Sequence, residues 1–277
     1  MKKTFLYIEL AALFIACAAL PVAYAPSVGA DEKFYAVKTA LLIILACLGA
    51  SARLLRLAAD PSAPDSHQRP FILFGPVLAW FGLTAILAAN GAVALRSLAY
   101  FAALFCMYHL AASFPDRKLL RAALAAGTLL GGVAASVYGL LEFLNLAGAP
   151  LFIEWGDRAA SFFSDPNFFG AYLLFPLLLA AGIALFSKYP KTIRILSVVL
   201  AALFLVALLL SNSRSAWISL LCGIALFAVA AAAAAKGGAA ARIKPAASLI
   251  GLLVVIAALG AALTFSPSIK KYGFNLP

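Results

Sequence analysis

The chain is poor in charge. Only 11% of its 277 residues are Asp, Glu, Lys or Arg, 65% are hydrophobic, and the mean hydropathy is +1.05. Soluble domains carry about 25% charged residues, so this scarcity excludes a soluble globular fold and indicates an integral membrane protein. No polar stretch is long enough for a separate soluble domain, which leaves one transmembrane domain over 1–277. Histidine and cysteine are scarce as well, at 2 and 4 residues. Cys17, Cys47, Cys106 and Cys222 stand singly inside apolar runs with no CxxC pair, and read as small buried hydrophobes. With His67 and His109 also isolated, the pattern argues against a metal site, and no cofactor is expected. Acidic residues number 10 against 21 basic ones, giving a net charge of +11. The basic residues sit in short clusters beside apolar runs rather than on a contiguous face, which argues against nucleic acid as a partner.

What the chain has in abundance is long apolar runs. A helix needs about 20 mainly apolar residues to cross the hydrocarbon core. Runs of that kind fall at roughly 4–25, 35–52, 71–90, 97–114, 122–145, 167–187, 195–211, 216–235 and 246–265. The expected fold is therefore all-α, a polytopic transmembrane helical bundle of about nine spans.

Basic residues orient these spans. Lys2, Lys3, Arg53, Arg56, Arg69, Arg117, Lys118, Arg121, Lys188, Lys191, Arg194, Lys236, Arg242 and Lys244 fall on one set of alternating loops. Lys33, Lys38, Arg96, Arg158, Arg214, Lys270 and Lys271 fall on the other. That asymmetry predicts a cytoplasmic N-terminus and an exterior C-terminus. The start, "MKKTFLYIELAALFIACAALPVAYA", also has the look of a secretory signal. Pro26 after the Ala-Tyr-Ala and Glu9 within the apolar core favour a retained first helix. No internal repeat is present, and the Ala-rich stretch 225–244 reads as a span end and a cytoplasmic turn.

Two exterior segments carry chemistry. The first is "LLLSNSRSAWISLL" (208–221), where a polar knot interrupts two apolar runs. The run 195–235 is flanked on both sides by basic clusters, so an even number of crossings lies between them and "SNSRS" becomes the tip of a pair on the outer face. An arginine at mid-membrane costs about 2.5–3.5 kcal/mol on insertion scales, whereas one at a tip can snorkel to the interface. Arg214 can thus be an interfacial anchor. Ser211, Asn212, Ser213 and Ser215 beside it, with Trp217 as an amphipathic interface ring, favour a further role. A planar guanidinium among neutral donors suits a phosphate or pyrophosphate.

The second segment is the exterior loop 146–167, "LAGAPLFIEWGDRAASFFSDPN", which carries Glu154, Asp157, Arg158, Asp165 and Asn167. Asp165 or Ser164 can cap the following helix, with Pro166 in its first turn. Arg158 can simply pair with Asp157 or Glu154.

Together, "RAASFFSDPNFFGAYLLFPLLLA" (158–180) and the later "SNSRSAWISLL" resemble the O-antigen ligase and polysaccharide polymerase superfamily. The shared pattern is Arg, a small pair, Phe, then Asp-Pro-Asn before a span, followed by a Ser-Arg tip. The resemblance covers roughly residues 70–277, with the paired motifs at 158–217 as its specific part. It implies a multi-pass glycosyltransferase of the bacterial inner (plasma) membrane, working on the periplasmic face without a metal or other cofactor. The donor would be an undecaprenyl-pyrophosphate-linked glycan, and the acceptor lipid A core, a growing polysaccharide or a protein hydroxyl. By this resemblance Arg214 would be catalytic, holding the pyrophosphate as its negative charge grows. Arg158, Asp165, Asn167, Ser213 and Ser215 would bind substrate in the same outer cavity.

The chain also departs from that family. Members carry a large exterior loop after the ninth span with a further arginine and a histidine proposed as base, and then additional spans. Here 266–277 corresponds to the start of such a loop, so a C-terminally truncated member is expected, and neither His67 nor His109 is placed outside to serve as base. The alternatives are a transporter, for which Glu142 is the one candidate ionisable residue within a span, and an anion-binding scaffold without catalysis.

Overall fold

A computed structural model describes residues 2–24, 35–59, 69–144, 146, 158–163 and 165–234. Every regular element among these residues is helical. In chain order they are α1 (Lys2–Ala19), a 3-10 turn (Leu20–Val22), α2 (Tyr35–Ala59), α3 (Arg69–Ile86), α4 (Gly91–Ala112), α5 (Arg117–Phe143), α6 (Pro166–Phe186), α7 (Lys191–Ser211) and α8 (Arg214–Ala234). Among the described residues, six helical stretches are long and apolar enough to cross a membrane: Lys3–Val22, Ala36–Ala59, Gly91–Ala112, Arg117–Phe143, Pro166–Phe186 and Lys191–Ser211. The apolar parts of α3 and α8, Gly75–Ile86 and Arg214–Ala225, are shorter. The first eight expected runs each coincide with a helix, and the ninth, 246–265, lies outside the described residues. Large apolar side chains point outward throughout, among them Trp80, Leu95, Phe175 and Ile218. Water would disfavour that surface, but lipid accepts it.

The helices form two compact units, Met1–Gly131 and Gly132–Pro277. In the first, α1 packs on α2, α2 on α4 and α3 on α4. Its core holds Ala12, Leu13, Leu42, Leu45, Ala46, Ala103, Met107, Leu110, Phe114 and Leu120. Gly49 admits Leu110 so closely that a Cβ there would lie 2.5 Å from Leu110 Cδ1.

This unit also buries polar side chains. Glu9 is 0% exposed, and Arg56 donates to it from Nε to Oε1 at 2.6 Å and from Nη2 to Oε2 at 3.3 Å. Arg53 donates to Ser113 Oγ, which in turn donates to the His109 carbonyl. These contacts correct one expectation. Arg53 and Arg56 do not lie in a loop beyond residue 52, because α2 continues through them to Ala59. The physical reason is that both guanidiniums find partners on neighbouring helices, so the chain can stay helical while it carries them.

The second unit is organised around α6. Its Asp165 cap accepts from Asn167 N at 2.6 Å, and Pro166 follows in the first turn, as the sequence suggests. Pro166, Phe169, Gly170, Leu173, Pro176, Leu177, Ala180, Ala181 and Ala184 are buried, so the helix is covered along most of its length. Both α7 and α8 pack on it. The end of α5 also approaches closely: a Cβ on Gly132 would meet Pro176 Cβ at 2.7 Å, and one on Gly139 would meet Phe169 Cζ at 2.8 Å.

Breaking the Glu9–Arg56 pair from one side strands a charge. Glu9→Ala should destabilise the protein by about 3 kcal/mol, while the double change Glu9→Leu with Arg56→Met should recover most of that loss. Denaturation in detergent, followed by helical circular dichroism, measures both; equal loss in the single and double variants would contradict the pairing.

Candidate functional site

Residues 158–163 and 211–215, from the two polar segments singled out in the sequence, come together in the second unit. The helix α7 ends at Ser211, and α8 begins at Arg214 after a connection of only Asn212 and Ser213. Asn212 makes the reversal possible by adopting the left-handed conformation (φ 46°, ψ 40°), with its N–H donating to the Leu209 carbonyl at 3.0 Å. Asparagine is among the few non-glycine residues that visit this region readily. Beneath the turn, Gly170 of α6 lies so near that a Cβ would sit 2.8 Å from Ser211 Oγ and 2.9 Å from Ser213 Cβ.

Residues 158–163 fold back onto this turn. Ala159 N donates to the Leu210 carbonyl at 3.0 Å, and Arg158 Nε donates to the Ser211 carbonyl at 3.1 Å. These two bonds satisfy carbonyls at the C-terminal end of α7 that have no partner within the helix. Arg158 Nη2 donates to Asn167 Oδ1 at 3.1 Å, which ties the guanidinium to the first turn of α6. On its other side the segment is fixed to α5. The N–H groups of Ala160 and Ser161 both donate to Glu142 Oε2, at 2.9 and 2.7 Å, and Ser161 Oγ donates to the Ala135 carbonyl at 2.6 Å. Ser161 takes a left-handed backbone (φ 54°), and Ala159, Ala160 and Ser161 are each 0% exposed. Phe162 packs on Tyr138 at 4.3 Å between ring centroids, and Phe163 on Tyr172 at 5.2 Å.

The arrangement gathers like charge. Arg158 is half-buried, and burial pushes its guanidinium below its ordinary value; the nearby Asp165 carboxylate raises it, and the Arg214 charge adds to the lowering. Arg158, Arg214, Asp165 and Asn167 thus form one electrostatic cluster built from three segments of chain. Among the described residues, Asp165 and Glu142 are the acidic groups that meet this segment and its neighbours. Such a cluster suits a polyanion with several oxygens, because guanidinium forks bind pairs of oxygens at once.

The serines of this turn have partners within the protein. Ser211 Oγ donates to the Leu208 carbonyl at 2.7 Å. Ser213 is fully buried, accepts from Ala216 N at 3.3 Å and pairs with Ser215 Oγ at 3.0 Å. Both buried hydroxyls thus serve helix-end backbone groups that would otherwise lack partners. Ser215 itself remains exposed beside the exposed Arg214. Trp217, expected as an interface ring, is 4% exposed and packs inside the unit instead. Glu154, Asp157 and Ser164, other expected partners or caps near Arg158, lie outside the described residues.

Sequence reasoning missed the part played by Glu142, which it weighed only as a transport residue. Its spacing from Ala135 and Gly139, at i, i+4 and i+7, places all three on one face of α5. That face could have been read from the sequence; its meeting with 158–163 could not. Among the described residues no group of three His, Cys, Asp or Glu could hold a metal. No family model, curated protein or solved structure matches the chain.

The turn at Asn212 is sensitive to residue type. Asn212→Val should cost about 1–2 kcal/mol through its left-handed backbone, while Asn212→Gly should be tolerated. Thermal unfolding in detergent distinguishes the two; equal midpoints would mean that the turn is not held in this conformation.

Proposed function

We propose that the chain is a glycosyltransferase of the O-antigen ligase and polymerase type, which transfers an undecaprenyl-pyrophosphate-linked glycan to an acceptor hydroxyl. The observation that carries this reading is the hydrogen bond from Arg158, in the first motif of the family resemblance, to the Ser211 carbonyl of the turn that leads into Arg214, in the second. A pyrophosphate leaving group gains negative charge as the glycosidic bond breaks. Fixed cations aimed at that group favour the more charged state over the ground state. Arg214, at the first position of α8, also lies where the helix dipole adds positive potential. Its role is catalytic. Arg158, Asp165, Asn167 and Ser215 line the donor side, and Ser213 holds the turn that presents Arg214.

In this reading the chain makes nine crossings of the bacterial inner membrane with its N-terminus in the cytoplasm. The segments 158–167 and 211–215 then face the periplasm, where lipid-linked glycans are consumed. The acceptor is lipid A core or a growing polysaccharide. Transport is less well supported, because Glu142 is engaged by the backbone of Ala160 and Ser161 rather than left to relay protons.

Loss of Arg214 should lower glycan transfer by about 100-fold or more, in line with the removal of one donor to a developing oxyanion. Arg214→Lys should retain part of the activity, because it keeps the charge and loses the fork. Transfer from a lipid-linked glycan, followed by gel mobility of the acceptor in cells complemented with each variant, measures this. Wild-type transfer by Arg214→Ala would overturn the assignment, and solute uptake into proteoliposomes without any lipid-linked glycan would favour transport.

A further inference from the structure

The segment 158–163 contains no regular structure, yet it must present an arginine in a defined place. Its own sequence offers little to do so. Ala159 and Ala160 have no polar side chains, and Ser161 stands in a backbone conformation that serine rarely adopts. Consecutive N–H groups leading into a left-handed residue form a concave nest that attracts an anion. Here the nest formed by Ala160 and Ser161 is filled by the protein's own carboxylate, Glu142 Oε2. A charged acceptor makes stronger bonds to N–H donors than a neutral one, and the three buried residues leave these amides little water as an alternative partner.

We infer that Glu142 is a positioning residue of the Arg158–Arg214 site: its carboxylate, seated on the Ala160 and Ser161 amides, holds the turn that delivers Arg158. The inference rests on the reading of that site as one for pyrophosphate. Two links carry the restraint to the guanidinium. Ser161 Oγ to the Ala135 carbonyl fixes the turn to α5 beside Gly139, and Ala159 N to the Leu210 carbonyl fixes it to α7. Arg158 follows immediately, with Nε and Nη2 committed to Ser211 and Asn167. Its remaining N–H donors are then aimed by the fold and require little ordering when a ligand binds. Glutamine in place of Glu142 keeps an acceptor oxygen at the same reach, whereas aspartate is shorter by one methylene and withdraws it.

The test is binding of undecaprenyl pyrophosphate to the full chain in phosphatidylcholine nanodiscs. Glu142→Ala should weaken binding about tenfold, Glu142→Asp similarly, and Glu142→Gln by no more than about threefold. Because Glu142 acts through Arg158, adding Glu142→Ala to Arg158→Ala should produce no further loss, while adding it to Arg214→Ala should. Hydrogen exchange at the Ala160 and Ser161 amides should accelerate in Glu142→Ala, with the thermal midpoint of the whole protein little changed. Wild-type affinity in both Glu142→Ala and Glu142→Asp overturns the inference, as does a further tenfold loss in the Arg158→Ala background. If Glu142→Ala fails to fold, Glu142→Gln and Glu142→Asp decide: equal affinities count against positioning through reach. Absence of binding by the wild type, or binding indifferent to Arg158→Ala and Arg214→Ala, overturns the pyrophosphate reading itself and this inference with it. The amide exchange then still reports whether Glu142 holds the turn.

Discussion

The close approach of α6 to its neighbours is the constraint on which the second unit depends. Lipid tails are as apolar as leucine, so helices in a membrane gain little from hiding apolar surface against each other. What holds them is close packing, and close packing requires small residues at the points of contact. Gly132 lets α5 rest against Pro176 and Phe204, Gly139 admits the Phe169 ring, and Gly170 brings the Ser211–Ser213 turn onto α6. Ala180, Ala181 and Ala184 continue the buried stripe toward the other end of the helix. A side chain at any of the three glycines would push back an element that carries part of the charged cluster.

Polar groups in these units are few, and their satisfaction determines much of the architecture. Glu9 would be costly inside an apolar helix were Arg56 not paired to it, and that pairing lets α2 continue to Ala59. Glu142 is used differently. It meets the Ala160 and Ser161 amides rather than a cation, and so holds an irregular segment. Arg158 bonds instead to the Ser211 carbonyl and to Asn167, with Asp165 close by. A carboxylate that binds amides and an arginine that binds the α7–α8 turn therefore belong to one arrangement.

Much of this was legible in the sequence. The apolar runs located eight helices, since a helix is the only open structure that satisfies its own backbone in lipid. Asp165 and Pro166 announced the start of α6, because capping and the proline geometry are local effects. The break between α7 and α8 was visible as a polar knot in an apolar run. The partners of its serines were not visible there. A hydroxyl beside a helix end has backbone groups to satisfy before it can serve a ligand, and Ser211 and Ser213 do that.

The sequence by itself determined the class of molecule, the helices and the two charged motifs, because those follow from transfer free energies and short-range backbone preferences. Only the tertiary structure decided that Arg158 and Arg214 share a cluster, that Arg56 answers Glu9, and that Glu142 reaches the turn at Ala160. Each of these is a meeting of residues distant along the chain. Such meetings depend on which small residues let two helices touch, and composition and periodicity carry no record of that.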